Sequence, residues 1–474
     1  MLFNSYTFIF LFFPVVLIGY FLLGKTGKTR WTSLWLVAAS LAFYGYWNVK
    51  YLPLLVGSIL VNYFFSGLIL AAREKGQGTG KPFFWSGLLF NLLLLGYYKY
   101  TDFLLGSLNA LGAQFELLHV FLPFGISFFT ITQLLYLVDC YAGVAKDHDF
   151  LRYALFVSFF PHLLSGPILY HKPMMTQFQN ASLLTVNWDN MSRGMTLFII
   201  GLMKKVLIAD TFSAFVAGGF GHTGDIGLVP AWLTILAYML QLYFDFSGYS
   251  DMAVGMSRMM NISIPINFNA PYRAKSLVDF WQRWHISLTN AITACIYMPL
   301  MKSFRKPDFL HTALAIFVTF FLVGIWHGAG WTFVVFALMH AGGLVVNHVW
   351  KHYHLWMPEV LGRCMTILYV IASMAFFRAS DVGNALELLQ GMAGFHGGFS
   401  WPVQTAAESV TVQTFGLPLV PFLIALALVI RCPSSNEIAK KMEFSSSAVF
   451  LLALGFAVTL FSLSRPTEFL YLQF

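Results

Sequence analysis

The chain has 474 residues, 58% of them hydrophobic and 10% charged, with a formal net charge of +8. Soluble domains carry roughly a quarter charged residues, so this composition excludes a water-facing globule and predicts an all-α polytopic membrane protein. The positive balance does not predict a nucleic-acid binder. Its cations cluster in short segments between apolar runs: Lys25, Lys28 and Arg30; Arg73, Lys75 and Lys81; Lys302, Arg305 and Lys306. That is the positive-inside pattern, and it places those segments in the cytoplasm.

The opening residues, MLFNSYTFIFLFFPVV, lack a basic leader and a small-residue cleavage site, so a retained first helix is expected rather than a cleaved signal peptide. Apolar runs then follow one another at 6–24, 31–48, 51–72, 82–98, 102–122, 124–142, 151–170, 192–218, 229–248, 310–324, 331–350, 362–377, 415–431 and 446–464. A helix needs about 20 apolar residues to cross a bilayer. Several runs are shorter, so the expectation is roughly 11–14 helices, some transmembrane and some re-entrant or interfacial. No fixed-period repeat or linker divides the chain, and residues 1–474 read as a single membrane domain. The mixed segment 391–415 reads as an extramembrane loop or an interfacial hairpin. Cys140, Cys295, Cys364 and Cys432 are scattered, as small core hydrophobes would be.

Polar residues crowd in three places, and ionisable groups at membrane depth mark functional sites by default. In FFPHLLSGPILYHKPMMTQF, residues 159–178, Pro161 and the Gly166–Pro167 pair interrupt a helix beside His162 and His171. Broken backbone in a membrane is tolerated only in buried protein or against a watery cavity. The segment is either a cavity wall, or a simple kink or ordinary loop.

The second place is 241–288, where Asp245, Asp251, Arg258, Asn267, Asn269, Arg273, Asp279, Gln282, Arg283 and His285 mix with aromatics. FDFSGYSD follows an apolar run, so Asp245 is expected near a helix end, where it pairs with an arginine or caps the helix. Phe280, Trp281, Trp284 and Leu288 recur at helical spacing, and 275–288 reads as one amphipathic helix, either lining a funnel or lying on the interface.

The third place is GIWHGAGW, residues 324–331, which follows the uncharged run 312–323. Gly324, Gly328 and Gly330 strip side chains from around His327, so another helix or a thin ligand chain can approach its ring. Trp326 and Trp331 read as anchors. A buried histidine satisfied by a carbonyl is the alternative. HVWKH, His348 to His352, lacks the glutamate of a zinc helix and reads as a polar helix end. No metal site is expected.

FDFSGYSDMAVG, INFNAPYRAKSLVDFWQRWHISL and GIWHGAGWTF, in that order, with FFPHLLSGPILYHKPMMTQF before them, closely resemble the membrane-bound O-acyltransferase (MBOAT) family. The likeness is greatest to the branch of the bacterial alginate O-acetyltransferase membrane subunit. It implies a ring of tilted helices around a central tunnel, with a catalytic core at approximately 120–350. It implies that His327 is catalytic and His285 its recurrent partner. It implies a cytoplasmic thioester donor, typically acetyl-CoA. The acyl group then passes outward across a bacterial inner membrane to an exported polysaccharide, with an extracytoplasmic acetyltransferase partner or a synthase complex.

A lipid, peptide, teichoic-acid or peptidoglycan acceptor is the alternative within the family, and a transporter the alternative outside it. On this resemblance Arg273, Lys275 and Arg283 are expected to hold donor phosphates. Asn267, Trp326 and Gly328 are expected to contribute to binding, with Gly328 keeping a tunnel open so that Gly328→Leu blocks transfer without unfolding the protein. Asp245, Pro161, His162, Gly166 and Pro167 are expected to shape the tunnel. The chain departs from the branch at TNAITACIYMPLMKSFRK, residues 289–306, where an Arg-Asp pair and a Gly-Gly-Asn turn are replaced.

Overall fold

In lipid an open-ended chain satisfies its backbone polar groups only by coiling into helices. The computed structural model describes residues 1–76, 80–395, 419–463 and 470, and among them the regular elements are all helical, without a strand. Most of the mixed segment 391–415 lies outside the described residues.

Among the described residues five helices are long and apolar enough to cross a membrane: Val49–Glu74, Leu228–Met259, Phe309–His327, Trp331–His352 and Glu359–Arg378. Leu419–Arg431 and Ser435–Lys441, bent by 70° at their junction, make a further candidate, and Phe8–Gly24, Ile126–Ala142 and Ser446–Ser462 are shorter apolar helices. The chain is thus more segmented than its apolar runs suggest. The run at 82–98 passes from Lys81–Leu95 into a π turn at Gly96–Tyr100. The run at 192–218 contains a π segment at Lys204–Ala209, and 151–170 is cut into Phe150–Ser158 and Phe160–Leu163. The interruptions fall at a glycine, a lysine pair and a proline, of which the glycine and the proline loosen or remove the regular helical bond.

The chain forms two units. The first comprises Met1–Ile200, Tyr249–Ile266 and Ala439–Met442. Its core is aromatic, with Phe3, Phe8, Phe43, Phe129, Tyr136, Tyr153, Phe156, Phe159 and Phe160 almost fully buried. Polar side chains tie its apolar helices together. Asn91 Nδ2 donates to Asn62 Oδ1 at 2.6 Å, Gln133 Nε2 to Ser58 Oγ at 2.9 Å, and the Tyr153 hydroxyl to Gln133 Oε1 at 3.1 Å. Such bonds hold helices together where the surroundings are as apolar as the side chains.

The second unit comprises Gly201–Gly248, Asn267–Ile438 and Glu443–Phe474. In it Phe309–His327, Trp331–His352 and Glu359–Arg378 pack in series, joined by short connections. A Cβ on Gly324 would stand 2.5 Å from the Ala337 Cβ and 2.7 Å from the Phe333 carbonyl, so the glycine sets the close approach of the first two helices. Leu228–Met259 runs for 32 residues, about 48 Å at 1.5 Å per residue. Of its most apolar window 72% is buried, against 28% for Phe309–His327. The first is an internal element and the second turns much of its surface to lipid.

Three expectations differ from the structure. Asp245 lies in the middle of the Leu228–Met259 helix, not near its end. Segment 275–288 is not one amphipathic helix. Leu277–Trp281 stops, and a new helix starts at Ile286–Ile292. Phe280, Trp281, Trp284 and Leu288, expected as one stripe, are all buried. Of the cysteines only Cys140 is buried, and Cys364 is exposed.

Candidate active site

His327 is the last residue of the Phe309–His327 helix. The helix stops there because Gly328 and Gly330 adopt extended backbone before Trp331 starts the next helix. The imidazole is buried, 5% exposed, with its ring edge-on to Phe377 at 5.3 Å and beside Trp326 at 5.0 Å.

His285 is 1% exposed and occupies the left-handed region, φ 46° and ψ 51°. A non-glycine residue adopts that conformation at a cost, which the surrounding structure must overcome. Here the holding structure is visible. The Ile286 amide donates to the Asn267 carbonyl at 2.9 Å, and the Asn269 amide to the Arg283 carbonyl at 3.0 Å. Asn267 Oδ1 accepts from Ser287 Oγ at 2.5 Å. Asn267 therefore clamps the turn that presents His285. Phe246 packs edge-on to the His285 ring at 4.8 Å, and Trp326 lies 6.4 Å from it. Trp326 thus neighbours both imidazoles, which are close enough for the charge of one to act on the other. Phe268, Trp284 and Phe280 continue the aromatic wall outward.

The glycine beside His327 is packed against an aromatic ring. A Cβ on Gly328 would stand 2.1 Å from the Phe333 ring. A side chain there must displace the Phe333 ring.

The three cations differ in their surroundings. Arg283 Nε pairs with Asp279 Oδ1 at 2.6 Å, and Lys275 Nζ with Glu359 Oε2 at 3.0 Å. Arg273 donates to the Ile430 carbonyl at 3.3 Å and makes no ion pair among the described residues. The segment that departs from the family pattern holds a π segment at Thr293–Tyr297 followed by the short helix Met298–Ser303.

Asp245 is paired with a lysine rather than an arginine. Lys205 Nζ lies 2.8 Å from Asp245 Oδ1 and 2.6 Å from Asp210 Oδ1, and all three side chains are at most 5% exposed. The Leu470 amide donates to Asp245 Oδ2 at 3.0 Å. Lys205 escaped the sequence reading, although the pair Lys204–Lys205 inside an apolar run was a visible signal.

His340 escaped it too, lying in an unremarkable apolar helix. Trp281 Nε1 donates to its Nδ1 at 3.3 Å, and its Nε2 meets Ser373 Oγ at 2.9 Å. Both ring nitrogens are satisfied, so its role is to hold Trp281, four residues before His285.

Pro161, His162, Gly166 and Pro167 belong to the first unit. Both helix breaks are present there, and His162 Nε2 meets the Phe156 carbonyl at 2.9 Å, a satisfied core histidine. A Cβ on Gly166 would meet the His162 Cα at 2.4 Å. HVWKH closes the Trp331–His352 helix, as a polar helix end.

The sequence profile of the membrane-bound O-acyltransferase family matches residues 6–355. The chain is 38% identical to a peptidoglycan O-acetyltransferase of Helicobacter pylori, over 100% of this chain and 98% of that protein. It is 37% identical to a probable alginate O-acetylase AlgI of Pseudomonas aeruginosa, over 83% of this chain and 75% of that one. A teichoic acid D-alanyltransferase of Bacillus subtilis is 28% identical over 53% of this chain and 66% of its own length.

Proposed function

The chain belongs to the membrane-bound O-acyltransferase family and is an O-acyltransferase of a membrane; from that premise we propose that it moves an acetyl group from a cytoplasmic thioester, acetyl-CoA, to a hydroxyl of an exported envelope polysaccharide. The single observation that carries the chemistry is the pair of buried imidazoles, His327 at a helix end and His285 on a clamped turn, with Trp326 beside both.

A hydroxyl is a poor nucleophile until its proton is removed. The neutral imidazole of His327 takes that proton as the hydroxyl oxygen forms its bond to the thioester carbonyl carbon. The tetrahedral oxyanion collapses, the C–S bond breaks, and the imidazolium returns the proton to the departing thiolate. His285 is the donor set to stabilise the oxyanion. Positioned base catalysis of this kind contributes about 10²–10⁴-fold. Arg273, free of a carboxylate among the described residues, is the cation suited to a coenzyme phosphate. Lys275 and Arg283 need their carboxylate partners to release them first.

An envelope glycan is favoured over a lipid acceptor because the match to a peptidoglycan O-acetyltransferase extends over the full chain. The same match favours a wall glycan over a secreted alginate. The protein then works in the inner membrane, among membrane lipids, with an extracytoplasmic acetyltransferase partner completing the transfer. The test is where label goes. Membranes from cells carrying the protein, given radiolabelled acetyl-CoA, are expected to label carbohydrate that resists organic extraction, and His327→Ala membranes are not. Label recovered in the organic extract, dependent on His327, would replace the glycan with a lipid.

A further inference from the structure

Residues 102–122, one of the apolar runs, do not form a single helix. Thr101–Ala110 is a short helix without a buried residue, and the chain returns from it through 111–123 without a regular element. The result is a hairpin of the first unit whose polar groups face inward. Asp102 Oδ1 accepts from the Leu118 amide at 2.7 Å and the His119 amide at 3.1 Å, and its Oδ2 from the Val120 amide at 2.8 Å. Within this clamp His119 is held left-handed, at φ 49°. Asn109 Nδ2 donates to the Phe115 carbonyl and its Oδ1 accepts from the Phe115 amide, both at 2.8 Å. The amides of Leu111, Gly112 and Ala113 donate back to carbonyls at the helix end.

The outer surface of the hairpin is apolar. Leu104, Leu111, Phe115, Leu118 and Phe121 are each between 53% and 86% exposed. A hairpin in water does the reverse, burying leucine and phenylalanine and leaving its backbone wet. Next to lipid a backbone polar group needs a partner within the protein, and Asp102 and Asn109 supply such partners. Glu116 and His119 are exposed as well, which keeps the loop at headgroup level rather than in the hydrocarbon.

Continuity identifies what covers this surface. Leu89, Leu93, Tyr97, Leu104 and Leu108 are exposed at helical spacing along the path through Lys81–Leu95, Gly96–Tyr100 and Thr101–Ala110. The hairpin therefore extends the outward face of a helix that starts in the membrane region. That path makes about 45 Å of helix at 1.5 Å per residue, against a hydrocarbon core of about 30 Å. It leaves from Lys75 and Lys81, which the positive-inside pattern places in the cytoplasm, so it ends at the extracytoplasmic leaflet. The return stretch is fixed there by aromatic side chains of the kind that occupy headgroup level. Phe121 stacks on Tyr51 at 5.7 Å, and Trp47 stands edge-on to Phe124 at 4.5 Å.

We infer that residues 101–123 are an interfacial foot, clamped by Asp102 and Asn109, that lies in the extracytoplasmic leaflet with Leu111, Phe115 and Leu118 among the upper acyl chains. Its partner is the lipid surface, and it sets the depth at which the outer rim of the first unit rides in the membrane.

The test is labelling of the purified protein in vesicles of phosphatidylethanolamine and phosphatidylglycerol. A diazirine on the upper acyl chain of phosphatidylglycerol reports contact with lipid, a water-soluble diazirine reports contact with water, and mass spectrometry locates both. Residues 111–121 are expected to take the lipid label as strongly as Ser446–Ser462, and several-fold less of the aqueous label than the exposed residues 351–354. Asp102→Ala, which releases three amides, should move 111–121 several-fold toward the aqueous label and leave Ser446–Ser462 unchanged. Asp102→Asn, which keeps an acceptor, should move it less. Aqueous label alone on 111–121 would overturn the foot by placing it in water. Label from neither reagent would overturn it by assigning the surface to a protein contact, and a pattern indifferent to Asp102→Ala would overturn the clamp on which it depends.

Discussion

At the scale of single residues, His285 and Gly328 show how the local backbone decides what a side chain can do. His285 is held left-handed between the Arg283 carbonyl, which accepts from the Asn269 amide, and the Ile286 amide and Ser287 hydroxyl, which donate to Asn267. Gly328 is held empty by Phe333. Gly328→Ala is expected to destabilise the protein by about 1–3 kcal/mol through overpacking. In a double-mutant cycle of thermal stability, Gly328→Ala with Phe333→Ala should lose markedly less than the sum of the single changes. A Gly328→Ala protein as stable as wild type yet inactive would instead return the glycine to a role in admitting substrate. The histidines themselves were legible in the sequence, because titratable groups stand out in apolar runs. Their setting was not. The left-handed turn depends on amide bonds between residues 14 and 19 positions apart, which no local pattern carries. His340 was hidden because its partners, Trp281 and Ser373, lie 59 and 33 residues away.

At the scale of elements, the helices were legible where apolar runs were long, and their interruptions less so. The 229–248 run is one part of a 32-residue helix that continues through FSGYSDMAVGMSRM. Polar residues end an apolar run without ending a helix when the helix is internal and its polar groups have partners. Asp245 illustrates this, since Lys205 on the π segment Lys204–Ala209 reaches it. A π segment widens the turn and re-aims its side chains, and here it turns a lysine inward. Removing one partner of a buried pair leaves an uncompensated charge, typically a loss of about 3–5 kcal/mol. Lys205→Met is therefore expected to abolish accumulation of folded protein, and Lys205→Met with Asp210→Asn and Asp245→Asn to restore much of it, as judged by thermal midpoint in detergent. A stable Lys205→Met single variant would mean that the cluster is not what holds these elements together.

At the scale of the whole molecule, composition alone established a membrane protein, and three ordered motifs carried the family, which a profile match over residues 6–355 then showed. Donor, acceptor and the two catalytic roles are further steps, and each depends on the claim that His327 is a base acting on a thioester. The direct measurement is release of free thiol from acetyl-CoA by the purified protein in detergent, for wild type and His327→Ala at equal folded concentration. The account predicts release by wild type and a fall of about 10²–10⁴-fold in the variant. Equal rates in both proteins would contradict it.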